Sequence, residues 1–398
     1  MKILLVNKFL YPRGGDCIHT LNLGQMLREA GHTVRFYAMD YPENIQDKDK
    51  PFFAKEINFA SANLSGKIKA AKRILWGTGV KEGFKELLKD FQPDIVHLNN
   101  IHSYLSPLVA RLAHEQGIKV IWTLHDYKLL CPAYNCLCKG EVCEACFFHK
   151  KNVILRKCMK DNLPASILAW AEAKNWNKKK LMEWTDTFIC PSRFMAEKMQ
   201  QGGYSAEKLQ VIHNFVSEEQ IKSNVNPSGA EREKSYAYIG RLSKEKGVES
   251  LLKAAIQLPY TLYIAGTGPL KNDLVRKYAA DNIVFLGYLT SKDITELLKK
   301  VSFTVIPSIW YENNPLSVIE SLCYGTPVLG RNIGGIPELL ETDKCNCLFE
   351  QDNELPALIT KMFASATSIH RDSLAATSLR RFSGERYYQK WLQIAARE

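Results

Sequence analysis

SYAYIGRLSKEKGVESLLKAAIQLPYTLYIAG, residues 235–266, reads as a strand, a glycine-bounded basic turn, a helix beginning after Lys246, and a second strand. The same unit recurs downstream. A helix follows Pro269, then come NIVFLG (282–287), a helix through ITELLKK (294–300), FTVIP (303–307), a helix through LSVIESLCYG (316–325) and TPVLG (326–330). It recurs upstream as well. KILLV (2–6), the turn FLYPRGGD (9–16), a helical run from Cys17 to Ala30 stopped by Gly31, and GHTVRFYAM (31–39) open the chain. DIVHLNN (94–100), IKVIWTLHD (118–126), TDTFICPS (185–192) and KLQVIHNF (208–215) continue the series, with helical runs between them. Strands alternating with helices imply parallel sheets covered on both faces, an α/β fold.

The stretch from Asn214 to Ser235 breaks the alternation with polar residues, Pro227 and Gly229, and is the natural linker. It divides the chain into an N-terminal domain (1–215), a C-terminal domain (216–379) and a helical tail (380–398) with apolar Phe382, Tyr387, Trp391 and Ile394, a helix that could return to the N-terminal domain. A length of 398 residues suits two cores. KILLV is too short for a signal peptide core, and no window resembles a membrane span, so a cytoplasmic or peripheral protein is expected. The net charge of +11 is concentrated early: residues 1–215 carry 31 Lys and Arg against 21 Asp and Glu. This is either a solvated face or a surface for anionic lipid or an anionic acceptor.

Two parallel-sheet domains also suit a dinucleotide-binding oxidoreductase, but Gly266-Thr-Gly268 lacks the third glycine of that fingerprint and Gly14-Gly15 lacks its spacing. Two other constellations carry chemistry. In GRLSKEKG (240–247), Arg241 and Lys246 follow a strand at the mouth of a helix, where fixed cations and free backbone N–H groups suit a diphosphate; the alternative is a solvated basic turn. In IPSIWYENNPLSVIESLCYGTPVLG (306–330), Pro315 is expected as the first helical residue with Asn314 as its cap. That places Glu312 in the preceding loop and Glu320 within the helix beside Ile319 and Leu322. A carboxylate there needs donors, either ribose or sugar hydroxyls or a buried ion-pair partner.

GRLSKEKG, the GTGP turn at 266–269 and the Glu312–Glu320 segment with its following GTPVLG, in this order, resemble the retaining GT-B glycosyltransferases of family 4. PRGGD (12–16), HDY (125–127), PS (191–192) and IHNF (212–215) extend the likeness over nearly the whole chain. The resemblance implies two Rossmann-like domains facing across a cleft. It implies that Arg241 and Lys246 bind the diphosphate of a UDP- or GDP-linked sugar and stabilise the leaving group. Glu320 would hold the ribose, Glu312 with the Asn313, Asn314, Pro315 and Leu316 backbone the sugar, and the Gly266 and Gly268 turn would belong to the same donor site. Gly14 and Gly15 would let the first loop approach the ligand closely. His125, at a strand end, would contact the sugar or serve the fold alone. Asp126 would face the acceptor, and Asp16 would either cap its helix or orient the acceptor hydroxyl. No protein nucleophile and no cofactor are implied for the chemistry, and Asp47-Lys-Asp49 reads as surface. The expected acceptor is a glycan or lipid-linked glycan of bacterial capsule, exopolysaccharide or lipopolysaccharide assembly. A sugar-nucleotide epimerase or hydrolase and a non-catalytic binding module are the alternatives; nucleic acid is not an expected partner.

Two features exceed this scheme. Six of the eleven cysteines lie in 131–158; Cys143-x2-Cys146 with Cys131 and Cys158 has the makings of a structural zinc site, against buried thiols or another metal or redox role. From Gly66 to Phe91, Lys67, Lys69, Lys72 and Arg73 alternate with Ile68, Ile74, Leu75 and Trp76, as a helix lying on an anionic bilayer or an ordinary surface helix.

Overall fold

The structure is a computed structural model that describes residues 1–57, 64–217, 232–365 and 370–397. The linker read from the sequence falls largely outside the described residues. The chain divides into two compact units. The first comprises Met1–Lys139, Cys143–His213 and the chain from Tyr388 onward; the second comprises Gly140–Val142 and Asn214–Tyr387. The boundary thus falls at His213/Asn214, and the tail is split: helix Arg371–Phe382 lies in the second unit, whereas most of helix Gly384–Ala395 counts with the first.

In the first unit a six-stranded sheet runs in the order Thr33–Tyr37, Lys2–Val6, Ile95–Leu98, Lys119–Thr123, Thr187–Cys190, Leu209–Val211. Every pairing is parallel. Strands covered on both faces need apolar side chains on both, and Ile3, Leu4, Leu5 and Val6 are all fully buried. The chain enters at Lys2–Val6, pairs Ile3 with Val34 on one side and with Ile95 on the other, and so creates a switch point beside its first strand. The tail helix completes this unit. Trp391, fully buried, donates from Nε1 to Nδ1 of His97 at 3.1 Å, and His97 donates from Nε2 to Thr123 Oγ1 at 2.8 Å. Burial, and secondarily His125, pushes the His97 imidazole down to about 3, so it is neutral.

The second unit repeats the plan with the order Ile283–Gly287, Thr261–Ala265, Glu233–Ile239, Val301–Ile306, Val328–Arg331, Cys347–Phe349, again all parallel. Its switch point lies between Glu233–Ile239 and Val301–Ile306. Tyr236, Leu251, Leu252, Ile264, Phe303 and Leu329 form the core on one side of this sheet. Val318, Ile319, Leu322, Leu339 and Phe382 form a second cluster around helix Leu316–Cys323.

Two readings change on the way. Asp49 is buried, because Arg35 donates to it from Nε at 2.8 Å and its guanidinium also reaches Asp90; a forked cation makes burial of that carboxylate tolerable. The basic stretch from Gly66 to Phe91 is two helices, Leu64–Trp76 and Lys81–Phe91, broken where Gly77 and Gly79 adopt positive φ. Arg73 is turned inward, donating to the carbonyls of Thr78, Tyr104 and Lys55.

Candidate active site

At the second unit's switch point two loops leave adjacent strand ends. The first carries the basic turn. Gly240 donates to the Ala265 carbonyl, Leu242 to Thr267, and the Leu270 amide returns to the Leu242 carbonyl, so the 240–247 turn is stitched to the turn at 266–270. The packing explains the glycines there. A Cβ on Gly266, at φ 138°, would lie 1.9 Å from the Gly240 carbonyl oxygen, and one on Gly268 would lie 2.3 Å from that of Leu242. Both glycines therefore serve the contact between the turns. Arg241 is exposed, and its carbonyl accepts from Tyr238 Oη at 2.8 Å. A 3-10 turn, Lys244–Lys246, then gives way through Gly247, at φ 65°, to helix Val248–Ala255, whose N-terminus carries no side-chain cap.

The second loop follows Val301–Ile306. Glu312, 5% exposed, accepts on Oε1 from Lys246 Nζ at 2.6 Å and from Ser308 Oγ at 2.6 Å. Lys246 also lies over the Trp310 ring, 4.9 Å from its centroid. Burial acts to raise the Glu312 carboxyl, but the charge and hydrogen bond of Lys246, with Ser308, outweigh it and hold the group below its ordinary value. The Glu312 carbonyl accepts from the Gly335 amide at 2.6 Å. Gly334, at φ 61°, has no room for a side chain: a Cβ would lie 2.3 Å from that same oxygen.

Asn314 does not cap the helix. Helix Leu316–Cys323 has Pro315 at its N-cap, in extended conformation, with no side-chain cap. The Asn314 carboxamide instead accepts from the Asn214 amide at 2.8 Å, while Asn214 Nδ2 donates to the Asn314 carbonyl at 2.8 Å. Asn214 thus donates twice to Asn314, and this buried pair ties Asn214 to the loop bearing Glu312 and Asn313. Glu320 is half-buried within the helix, between the buried Ile319 and Leu322. The residues at 241, 246, 312–316 and 320 thus belong to one unit and to the two loops at its switch point and the helix that follows. Ser308, Trp310 and the Gly334-Gly335 pair join the site without a reading of their own in the sequence, and Asn214 joins it as a clamp and not as a linker end. The NIGG stretch at 332–335 was the available signal, since adjacent glycines mark close backbone approach.

A second polar group occupies the switch point of the first unit. His125 donates from Nε2 to Asn99 Oδ1 at 2.9 Å, and the Asn99 carbonyl accepts from Trp122 Nε1 at 3.0 Å. Asp16, in the first turn of helix Gly15–Glu29, accepts from Asn100 Nδ2 at 2.9 Å and lies 3.7 Å from Lys8 Nζ. The helix has Gly14 at its N-cap and no side-chain cap, so the Asp16 carboxylate faces Lys8 and Asn100. Burial would raise Asp16, yet Lys8, His125 and Asn100 together keep it below the usual carboxylate range. Burial lowers His125, opposed by Asp16 and Asp126, and leaves a neutral imidazole at pH 7. The His19 ring stands 5.1 Å from that of His125. Asp126 accepts from the Lys128 amide at 2.9 Å, and burial raises it. At Gly14 a Cβ would meet only Asp16 Oδ1, at 3.5 Å, so the chain's own packing does not demand glycine there.

The cysteine-rich segment is mostly irregular, with positive φ at Tyr134, Cys136 and Lys139. Of the four cysteines read as a zinc set, Cys131 and Cys146 meet. Cys131 interacts with Cys136 and Cys146, Cys158 with Cys138, and Cys143 accepts from Arg156 at 3.3 Å. Among the described residues no three Cys, His, Asp or Glu side chains are placed to hold a metal ion.

Two α/β units, each with a six-stranded parallel sheet, have the GT-B fold. Residues 13–220 match the family model Glycosyltransferase Family 4 and residues 219–375 match Glycosyl transferases group 1; the chain belongs to this family. A Klebsiella pneumoniae protein, "Uncharacterized 42.6 kDa protein in cps region", is 29% identical over 359 residues, covering 85% of this chain and 87% of that protein. The "Putative colanic acid biosynthesis glycosyltransferase WcaL" of Escherichia coli is 25% identical over 48% of this chain and 50% of its own length. Anabaena HepE, solved in complex with UDP-glucose, shares the fold with a TM-score of 0.63 over 99% of this chain and 98% of that one, at 18% identity.

Proposed function

We propose that the protein is a retaining transferase moving a sugar from a UDP- or GDP-linked donor to a glycan or lipid-linked glycan acceptor in surface polysaccharide assembly, at the inner face of the plasma membrane. The observation that carries this reading is the Lys246–Glu312 pair at the second unit's switch point, beside an uncapped helix N-terminus. An ammonium has three donors, and the pair occupies one. The others, with the exposed Arg241, answer the charge that grows on the departing phosphate oxygen as the bond to the anomeric carbon breaks. Glu312, kept ionised and fixed by Ser308, accepts from sugar hydroxyls, and Glu320 accepts from the ribose. The acceptor oxygen bonds to the same face of the anomeric carbon, and its proton passes to the departing phosphate oxygen, so no enzyme nucleophile is required. His125, neutral and with Nε2 donating to Asn99, keeps Nδ1 as an acceptor for a sugar hydroxyl.

Relatives from a capsule region and from colanic acid biosynthesis support the pathway assignment, and a fold shared with a UDP-glucose complex supports the donor class. The test is a panel of UDP- and GDP-sugars screened for binding and for transfer with and without polyprenyl-linked glycans. Acceptor-dependent turnover is expected. Sugar release or epimerisation independent of acceptor would replace the reading with a hydrolase or epimerase, and absence of any nucleotide binding would end it.

A further inference from the structure

The basic helix read from the sequence is one part of a larger surface in the first unit. Helix Leu64–Trp76 turns Ala70, Arg73 and Ile74 inward and leaves Ile68 and Trp76 exposed, at 47% and 60%. Ile68, Lys72 and Trp76 are spaced four apart and so share one stripe. Beside it packs helix Leu163–Asn175, joined where Asn175 Nδ2 donates to the Leu75 carbonyl at 2.6 Å and Trp176 Nε1 to that of Ile74 at 2.9 Å. That second helix exposes Leu163 and Ile167, again four apart, and the adjoining short helix Asn152–Leu155 exposes Leu155 at 77%. Large apolar side chains on three helices, of which Leu163–Asn175 packs against both others, depart from the scattered exposure normal on a soluble surface.

Charge decides what covers them. Lys67, Lys69 and Lys72 are exposed on a helix that contains no acidic residue, and Lys151, Lys157 and Lys160 are exposed around the short one. The exposed acid between them is Asp161. The Glu172 carboxylate, on the neighbouring helix, is withdrawn into a buried pair with Lys128 at 2.8 Å. A protein partner with an apolar face would not need so uniform a positive rim, whereas a phospholipid surface offers acyl chains beneath a plane of anions.

We propose that these three helices form a docking surface for an anionic bilayer, with Ile68, Trp76, Leu155 and Leu163 entering the headgroup boundary and the lysines engaging lipid phosphates. The surface lies in the unit that holds Asp16 and His125, and docking through it needs neither donor nor transfer.

The test is co-sedimentation of the full chain with vesicles of phosphatidylcholine alone and with about 30% phosphatidylglycerol at about 0.1 M salt. Binding to the anionic vesicles is expected to exceed that to neutral ones by about tenfold or more, and to fall with salt. Lys67→Glu/Lys69→Glu/Lys72→Glu should abolish the preference, and Ile68→Ser/Trp76→Ser should weaken binding to both vesicles, with UDP and GDP affinity and the melting temperature unchanged in each. Equal binding to neutral and anionic vesicles, or none to either, overturns the proposal. So does concentration-dependent self-association that Trp76→Ser removes without any vesicle binding, which would assign the face to a second copy of the chain.

Discussion

Gly334→Ala isolates the support behind Glu312 without removing any group proposed to meet substrate. Gly334 sits at φ 61°, where a side chain costs about 1–2 kcal/mol. A β-carbon there would lie 2.3 Å from the Glu312 carbonyl oxygen and 2.7 Å from its amide nitrogen. The carbonyl has little freedom to yield, because it accepts from Gly335 and because Asn214 clamps the same loop at Asn314. The Glu312 backbone must therefore shift by a good part of an ångström and carry its carboxylate along. A displacement of about 1 Å from the productive pose is worth up to about 100-fold in rate. Gly31→Ala supplies the control: Gly31 has φ 83° but open space around its β-position, so it bears the backbone cost alone. Calorimetric titration with UDP and GDP, initial rates of transfer and thermal melts would be compared for the three proteins. Both variants should lose about 1–2 kcal/mol of stability from the backbone. Gly334→Ala alone should slow transfer, by about 10- to 100-fold, with nucleoside diphosphate affinity close to the parent's. Transfer rates matching those of Gly31→Ala, or an equal loss of nucleotide affinity and turnover, would refute the reasoning.

Lys246→Ala removes a charged donor worth about 1.5–3 kcal/mol and should weaken nucleoside diphosphate binding by about 10- to 100-fold; Glu320→Ala should weaken it too, and isothermal titration reads both. Glu312→Ala should spare the free nucleoside diphosphate and impair transfer, and equal losses for both would contradict that division. The Glu312 carboxyl is lower in the folded chain than in the unfolded one, so its stabilising contribution is present at neutral pH and is lost as pH falls through the lowered folded value. Urea unfolding of the parent and Glu312→Gln should therefore converge on acidification; a widening gap would count against the ionised assignment. Trp391→Phe leaves His97 Nδ1 buried without its donor and should cost about 1–3 kcal/mol in chemical denaturation. His97 itself should make stability fall as pH drops from about 6.5 toward 3, because the unfolded imidazole takes up its proton first.

Much of the fold was legible because strand and helix periods are local. The apolar runs at 2–6, 95–98 and 236–239 are strands, as expected from their composition and the βα alternation. The candidate site residues were legible as charged residue types at strand ends, where open sheets bind ligands. What the sequence withheld depends on contacts between distant segments. Asn314 has the composition of a helix cap, yet Asn214, 100 residues away, claims its side chain. Asp49 looks solvated until Arg35 closes on it. The cysteine spacing allowed a tetrad, but in an irregular segment spacing does not determine which thiols meet. Arg73 counted as one more surface cation, and only its three backbone acceptors show that it is a core anchor.

The pairing of Lys246 with Glu312 bears on how the proposed donor is recognised as a whole. Glu312 is buried, and removing its cation would leave a charge that the surroundings do not solvate. A diphosphate arriving alone draws the ammonium toward itself and sets a second anion near the carboxylate, so part of its attraction is offset. A sugar attached to that diphosphate brings hydroxyl donors to the same carboxylate and replaces what the phosphate withdrew. The cost thus falls on the free nucleoside diphosphate more than on the sugar nucleotide. The same pair, proposed to stabilise the leaving group, would therefore loosen the product once its sugar has gone. That requires Glu312 to stay ionised and in place, which Ser308, Gly334 and Gly335 secure from one side and the Asn214–Asn314 clamp from the other.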